Sequence, residues 1–141
     1  MHLRFALLAL FCVLVPEADA QWWGVPADCD AVDQLGNCAL YGVSMVQLLA
    51  SPPRYDGKRI RLLGYYHSES EDAAIYLHKE DAEHHLLKNG VRVALAKGAS
   101  LDGCQDSYVV IEGLYKAVND TGHTRLWSGA VTHVTACRKL P

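Results

Sequence analysis

The sequence predicts a small, mostly β domain in which five strands roll into a barrel. Two runs rich in β-branched and aromatic residues, Ser107–Val118 and Arg125–Val134, flank a polar turn segment, which is the pattern of a long β-hairpin. A further strand pattern is interrupted at Gly64, and a glycine inside a strand commonly marks a sharp bend. Strongly bent strands can hide their edges by closing into a barrel.

The other elements follow from local patterns. Ser44 is a suitable N-cap for a short N-terminal helix, and Pro52-Pro53 ends that helix because proline lacks a backbone donor. Alternating apolar and polar residues predict three further strands, with a second short helix between the second and third of them. In chain order these elements are Lys58–His67, Ala74–Lys79, the helix Glu80–Leu87, and Val91–Ala96.

This order of elements is typical of the five-stranded OB barrel. The sequence therefore predicts an OB-like barrel with a short N-terminal helix and a short helix between strands two and three. The position of the second helix is a departure, because OB barrels normally carry their helix between strands three and four.

The predicted hairpin also pairs the cysteines. Residues that face each other across a hairpin lie at equal distances from its turn, and Cys104 and Cys137 are equidistant from a turn centred on Asp120-Thr121. Cys29 and Cys38 are then left to close a local loop. Disulfides persist in oxidising compartments, so this pairing predicts an exported protein.

Residues 1–20 have the pattern of a cleavable secretory signal. Arg4 precedes an apolar run, Phe5–Val15, and Ala18-Asp19-Ala20 offers small residues for cleavage. The apolar run is too short to cross roughly 30 Å of hydrocarbon as a helix. The sequence predicts a periplasmic or extracellular protein with no membrane span after signal cleavage. Its predicted parts are the signal at 1–20, a disulfide-looped N-terminal arm at 21–42 and the barrel domain at 43–141. Within the arm, Gln21–Cys38 shows no strand or helix period.

Composition and motifs disfavour several classes of function. The chain has 13 lysines and arginines against 16 acidic residues, a net charge of −3, whereas nucleic-acid-binding proteins usually carry a basic excess. Ser128 lies in no G-x-S-x-G motif, and the four cysteines that follow the signal can all be paired, so neither type of residue indicates a nucleophile. The sequence leaves enzymatic activity open and favours a non-enzymatic domain with no cofactor.

A binding site is predicted where OB barrels hold their ligands, over strands two and three and between the loops that join strands one to two and four to five. Those loops are predicted at His67–Ala73 and Val118–Thr124, and both are polar and net acidic. Such a rim disfavours nucleic acid and suits a protein, peptide or glycan partner. The aromatic candidates are equally consistent with ordinary packing of the barrel. The candidate ligand-binding residues are Tyr65, His67, Tyr76, His78, Glu80, Asp120, His123 and Trp127.

A metal-binding protein or a small metal-dependent hydrolase is the alternative. His78 and Glu80 are two positions apart on a predicted strand, so they would share a face, and a loop histidine could join them. Asp81 and His85, four positions apart, would share a face of the predicted helix. Because no H-E-x-x-H or other zinc motif is present, a solvated, charged loop is the favoured interpretation of this cluster and no metal is assigned.

Several short motifs together resemble a known group of proteins. They are Tyr55-Asp56-Gly57-Lys58, Gly64, Tyr76–Asp81, Lys88-Asn89-Gly90, and Gly122-His123 with Ser128-Gly129. In this succession the chain resembles a group of small uncharacterised bacterial proteins, usually exported, that have a single OB-like domain. The resemblance covers Val43–Thr135. It implies an exported OB-like domain and no particular activity, and the cysteine-bearing arm is an addition to the group's pattern.

Overall fold

The computed structural model describes residues 24–69, 72–118 and 126–141. The predicted signal at 1–20 and the candidate residues Asp120 and His123 lie outside the described residues. Within the described ranges, eight strands form one sheet, and no helix is long and apolar enough to cross a membrane. The strands are β1 (Cys29–Val32), β2 (Cys38–Ser44), β3 (Arg59–Glu69), β4 (Asp72–Tyr76), β5 (Gly90–Leu95), β6 (Ser107–Lys116), β7 (Ala130–Val134) and β8 (Cys137–Lys139). The helices are α1 (Met45–Ala50), α2 (Pro52–Tyr55) and α3 (Lys79–Glu83).

Five of the strands close into a barrel. β3 pairs with β4, β4 with β5, β5 with β7, β7 with β6, and β6 returns to pair with β3. Every pair is antiparallel except β5 with β7, which is parallel. This is the strand order of the OB fold, so the predicted five-stranded OB-like barrel is confirmed.

The barrel core consists of the side chains on one side of each strand, as the alternation in the sequence predicts. In β3, Ile60 and Leu62 are fully buried while Arg59 and Arg61 point outward. From Val131 to Val134, β7 has one residue more than the stretch of β5 that it faces. A bulge at His133, which has a φ of 58°, accommodates this residue and lets Val134 return to the core. The largest fully buried side chains are Leu48, Tyr55, Ile60, Leu62, Ile75, Val91, Val109, Ile111, Tyr115, Val131 and Val134.

The predicted N-terminal helix is α1, and it begins as the sequence indicates. The Ser44 hydroxyl accepts a hydrogen bond from the Gln47 amide at 3.2 Å, and the Gln47 side chain accepts one from the Ser44 amide at 3.0 Å. This capping box satisfies two otherwise free amides. Met45 and Leu48 point into the core cluster and so attach α1 to the barrel. Between β5 and β6, where OB barrels carry a helix, a 3₁₀ turn at Asp102–Cys104 buries Leu101 and Cys104 instead.

The prediction that the N-terminal arm lacks strands is wrong. β1 and β2 form an antiparallel hairpin, and β2 continues in parallel alongside the first half of β3. An ion pair also ties the hairpin to the barrel, because Arg61 donates to Asp30 at 2.8 Å. A Cβ atom at Gly42 would meet the Asp30 carboxylate, so a side chain there would displace the carboxylate that pairs with Arg61. The sequence pattern missed these strands because the short β1 is exposed on both faces.

Both predicted disulfides are confirmed, Cys29 with Cys38 and Cys104 with Cys137. The hairpin register from which the second pair was predicted is nevertheless wrong. Tyr115 faces Val131, and the last barrel strand begins only at Ala130, so the register is shifted from a turn centred on Asp120-Thr121. Cys137 reaches Cys104 because the chain leaves β7 and adds β8 to the same edge of β6.

The boundaries around the second strand also differ from the prediction. β3 extends to Glu69 and β4 starts at Asp72, so most of the predicted loop at His67–Ala73 belongs to strands. β4 ends at Tyr76, which places His78 and Glu80 beyond the strand. The prediction that these two residues share a strand face is therefore wrong.

Gly64 lies at the point where β3 exchanges one neighbour for another. One edge of β3 pairs with β6 over residues 59–66. The other edge pairs with β2 up to Leu63 and with β4 from Tyr65 onward. A Cβ atom at Gly64 would lie 2.5 Å from the backbone oxygen of Tyr76 and 2.7 Å from Cγ1 of Ile75. Closure of the barrel therefore depends on the absence of a side chain at this position.

We expect Gly64→Ala to lower the free energy of unfolding by roughly 1–3 kcal/mol, because the added methyl group forces apart β3 and β4. Urea unfolding followed by circular dichroism measures the change. Gly103→Ala is the matched control, since a Cβ there meets nothing within 4 Å and should change stability by about 0.5 kcal/mol or less. Equal stability of the two variants would contradict the proposed role of Gly64.

Candidate ligand-binding groove

A small apolar cluster lies outside the barrel, on the outer face of β3 and β4. The alternation that sends Leu62 and Ile75 inward turns Tyr65 and Tyr76 to this outer face. Trp127 packs on Tyr76 with ring centroids 5.7 Å apart, and Tyr65 meets Tyr108 edge to face at 5.4 Å. The buried members of the cluster are Tyr65, Ala74, Tyr76, Ala82 and Trp127.

Helix α3 covers one side of this cluster. Asp81 Oδ2 accepts a hydrogen bond from the His78 amide at 2.9 Å, which caps the start of the helix. Its other oxygen accepts from Asn89 Nδ2 at 2.8 Å, so the buried carboxylate also holds the following 3₁₀ turn. His78 occupies the N-cap position of α3, and Asp81 lies three residues later. Asp81 is therefore a structural residue.

A groove runs between this helix and the outer ends of β3 and β4, and we call it the β3–α3 groove. It consists of a cavity of about 530 Å³ and an adjoining one of about 360 Å³, which share His67, Glu69 and His85. The first is also lined by Tyr65, Lys79, Ala82, Glu83 and Asp106, and the second by Asp72, Tyr76, Leu87, Leu126 and Trp127.

A short histidine–carboxylate pair lies in the groove. Nδ1 of His67 is 2.6 Å from Oδ1 of Asp106. Gln105 holds the Asp106 segment against β3, because its side-chain amide donates to the Ser68 carbonyl at 2.9 Å. Neither residue is buried, so the pair can be reached from solvent.

Two left-handed backbone conformations direct side chains into the same groove. In the described ranges three non-glycine residues have positive φ, and two of them, His85 at 53° and Asp106 at 52°, line the groove. The third is the bulge residue His133. Such conformations are uncommon for residues with a Cβ and concentrate at functional sites. The prediction that His85 shares a helical face with Asp81 is wrong, because α3 ends at Glu83.

The groove is acidic. Four carboxylates line it, from Glu69, Asp72, Glu83 and Asp106, against one ammonium group, Lys79, which bonds to Glu83 at 3.2 Å. Burial, and then the charge on Asp106, raises the pKa of Tyr65. Burial, followed by the charges on Asp72 and Glu69, likewise raises the pKa of Tyr76. Both phenols therefore stay neutral at physiological pH and add no charge to the groove.

The aromatic residues form the floor of the groove, and their faces are not available for stacking. Tyr65, Tyr76 and Trp127 are only 6%, 4% and 6% exposed. Rings buried in this way cannot stack on a sugar as an open platform does. They instead give the charged rim a rigid base.

Four of the candidate residues are brought together by the fold, namely Tyr65, His67, Tyr76 and Trp127. His78 and Glu80 do not line the groove, and within the described residues no group of three or more His, Cys, Asp or Glu side chains is placed to hold a metal ion. The groove residues that sequence reasoning missed are Lys79 and Asp106, whereas His85 was considered only for the metal alternative.

The turn at 127–129 borders the groove, and the buried side chain of Tyr115 holds this turn in place. The Tyr115 hydroxyl donates to the Ser128 carbonyl at 2.8 Å, and the Ser128 hydroxyl donates to the Lys88 carbonyl at 2.6 Å. Gly129, with a φ of 147°, leaves room for the Tyr115 ring. Trp127 is thus held over Tyr76 from inside the barrel, which is why it lies in a turn and not in the predicted strand.

Comparison of the sequence with known families and proteins finds no matching family model and no matching curated protein. The groove must therefore be interpreted from its own chemistry.

We expect stability to fall as the pH rises from 10 toward 12, in part through Tyr115. Burial, and then the charge on Asp56, raises the pKa of Tyr115 to about 12 from its ordinary value of 10.0. The folded state therefore holds this proton more tightly, so its contribution is complete below pH 10 and is lost as the pH rises through 12. The measurement is urea unfolding at several alkaline pH values. Tyr115→Phe should show a shallower decline, and an identical decline in both proteins would contradict the assignment.

Proposed function

We propose that this chain is an exported, non-enzymatic binding domain, periplasmic or extracellular, whose β3–α3 groove receives a cationic segment of a protein or peptide partner. The observation that carries the proposal is the set of four groove carboxylates around His67 with a single lysine among them. Export is supported by the signal pattern at 1–20 and by the two disulfides.

The charge of the groove favours a cation. Lys79 offsets Glu83, and Arg92 approaches Asp72 at 3.3 Å from outside the groove. Glu69 forms no ion pair with a described residue, and among the described residues the Asp106 carboxylate has only His67 as an ionic partner. A lysine or arginine side chain would meet these two carboxylates, whereas the phosphates of a nucleic acid would be repelled.

A peptide fits the groove better than a glycan does. Proteins that bind sugars commonly stack them on exposed aromatic faces, and here the three aromatic rings are buried in one packed cluster. Charged side chains at the rim and a rigid apolar floor are instead suited to a basic side chain, whose hydrocarbon stem can lie on the floor while its head meets the carboxylates.

A non-enzymatic role is supported by the surroundings of the His67–Asp106 pair. A histidine and a carboxylate can activate a nucleophile. The neighbouring Ser107 hydroxyl is not directed at His67, because it donates to the Gln105 carbonyl at 3.0 Å. The alternative, a metal-dependent hydrolase using His78 and Glu80, has less support because His78 caps α3 and Glu80 is not part of the groove lining.

The proposal predicts that tetralysine binds the purified protein and shifts the amide resonances of β3 and α3 in NMR spectra. Removing two groove charges with Glu69→Gln/Asp106→Asn should weaken binding by roughly twofold to thirtyfold, because each exposed pair contributes on the order of 0.2–1 kcal/mol. Added salt should weaken it further.

Glu80→Gln is the control, since it removes an exposed carboxylate of α3, the helix beside the groove, and Glu80 does not line the groove. Its affinity for tetralysine should equal that of the unmodified protein. Equal weakening by the control, or shifts spread over the whole surface, would show non-specific attraction and overturn the proposal. A chito-oligosaccharide that binds more tightly than tetralysine would overturn the choice of a peptide.

A further inference from the structure

A second cleft, of opposite charge, lies on the outer face of the barrel where β3, β6 and β8 run side by side. We call it the β3–β8 cleft. It has a volume of about 420 Å³. Three arginines and one carboxylate stand around a floor that includes Val110 and Cys137. The charged residues are Arg59, Arg61, Glu112 and Arg138.

The fold fixes the positions of these side chains. Arg59 and Arg61 are on the outward side of β3, and Glu112 of β6 is directly opposite Arg61 in the register. Arg138 of β8 is opposite Val110 of β6. The disulfide from Cys137 to the buried Cys104 anchors β8 at the core, so the third arginine is held at the edge of the same cleft.

The charges in the cleft do not balance. Arg61 is fully engaged, because it bonds to Glu112 at 2.9 Å and to Asp30 at 2.8 Å. Arg59 has only a 3.6 Å approach to the same Glu112, and its side chain is 62% exposed. Arg138 forms no ion pair with any described residue. Three guanidinium groups therefore face two carboxylates, and Arg59 and Arg138 have donors left over.

We infer that the β3–β8 cleft binds an oxyanion group, a phosphate or a sulfate, between Arg59 and Arg138. Guanidinium groups present paired N–H donors whose spacing matches the oxygens of such anions. Arg61 is already held by its two carboxylates and fixes one oxygen of Glu112 at 2.9 Å, while the other oxygen of Glu112 approaches Arg59 at 3.6 Å. This site is on a different face from the β3–α3 groove and does not depend on what the groove binds.

Two sources could supply the oxyanion, a free inorganic ion or the headgroup of an anionic lipid. The test titrates inorganic phosphate and sulfate at constant ionic strength, with chloride as the reference, and follows the amide resonances of β6 and β8. A second arm measures sedimentation with vesicles of phosphatidylglycerol against vesicles of phosphatidylcholine. Saturable binding in either arm supports the site and identifies the source.

Arg59→Gln and Arg138→Gln should each weaken that binding by about fivefold to tenfold, as expected for the loss of charge-assisted hydrogen bonds at an exposed site. Both side chains are on the surface, so the variants should fold. Arg92→Gln is the charge-matched control, because this arginine is on β5 and pairs with Asp72. Unchanged affinity in Arg138→Gln, equal loss in the control, or no saturable response in either arm would overturn the inference.

Discussion

Strand β3 is the element on which the rest of the structure depends. Along one edge it pairs with β6 and closes the barrel, while its other edge passes from β2 to β4 at Gly64, where the backbones are too close for a side chain. Gly64 also divides the outward face of β3 into two parts. Before Gly64 the strand contributes Arg59 and Arg61 to the basic cleft, and after Gly64 it contributes Tyr65 and His67 to the acidic groove. One strand thus gives the small domain two surfaces of opposite charge.

The barrel could be predicted because its signal is local. The alternation in β3 and β5, the glycine at position 64 and the cap at Ser44 are each contained within a few residues. The register of the last hairpin could not be predicted, because residues 127–129 form a turn that is held by a hydrogen bond from Tyr115 across the barrel. The Cys104–Cys137 disulfide was predicted correctly from that incorrect register, because any arrangement that returns the chain to the start of β6 brings the two cysteines together.

The candidate groove was only partly predictable, because its charged pair joins distant segments. His67 was found from its place in the predicted loop His67–Ala73, but its partner Asp106 is 39 residues away in a turn that carries no motif. His85 enters the groove through a left-handed backbone conformation just beyond the end of α3, which helical periodicity cannot show. The aromatic residues were located correctly, but their burial follows from α3 and Trp127 folding over them, which is a tertiary effect.

Hydrogen exchange of the β3 backbone amides tests most directly whether the molecule is organised around β3 and its pairing with β6, which closes the barrel. Since β3 is paired on both edges, its amides from 60 to 66 should exchange only through global unfolding. Their exchange free energies should then equal the free energy of unfolding measured with urea, and the amides of the short edge strand β1 should exchange much faster. If the β3 amides exchanged through local opening while those of β4 and β5 remained protected, the barrel would open at the β3–β6 seam, and the central role of β3 would be contradicted.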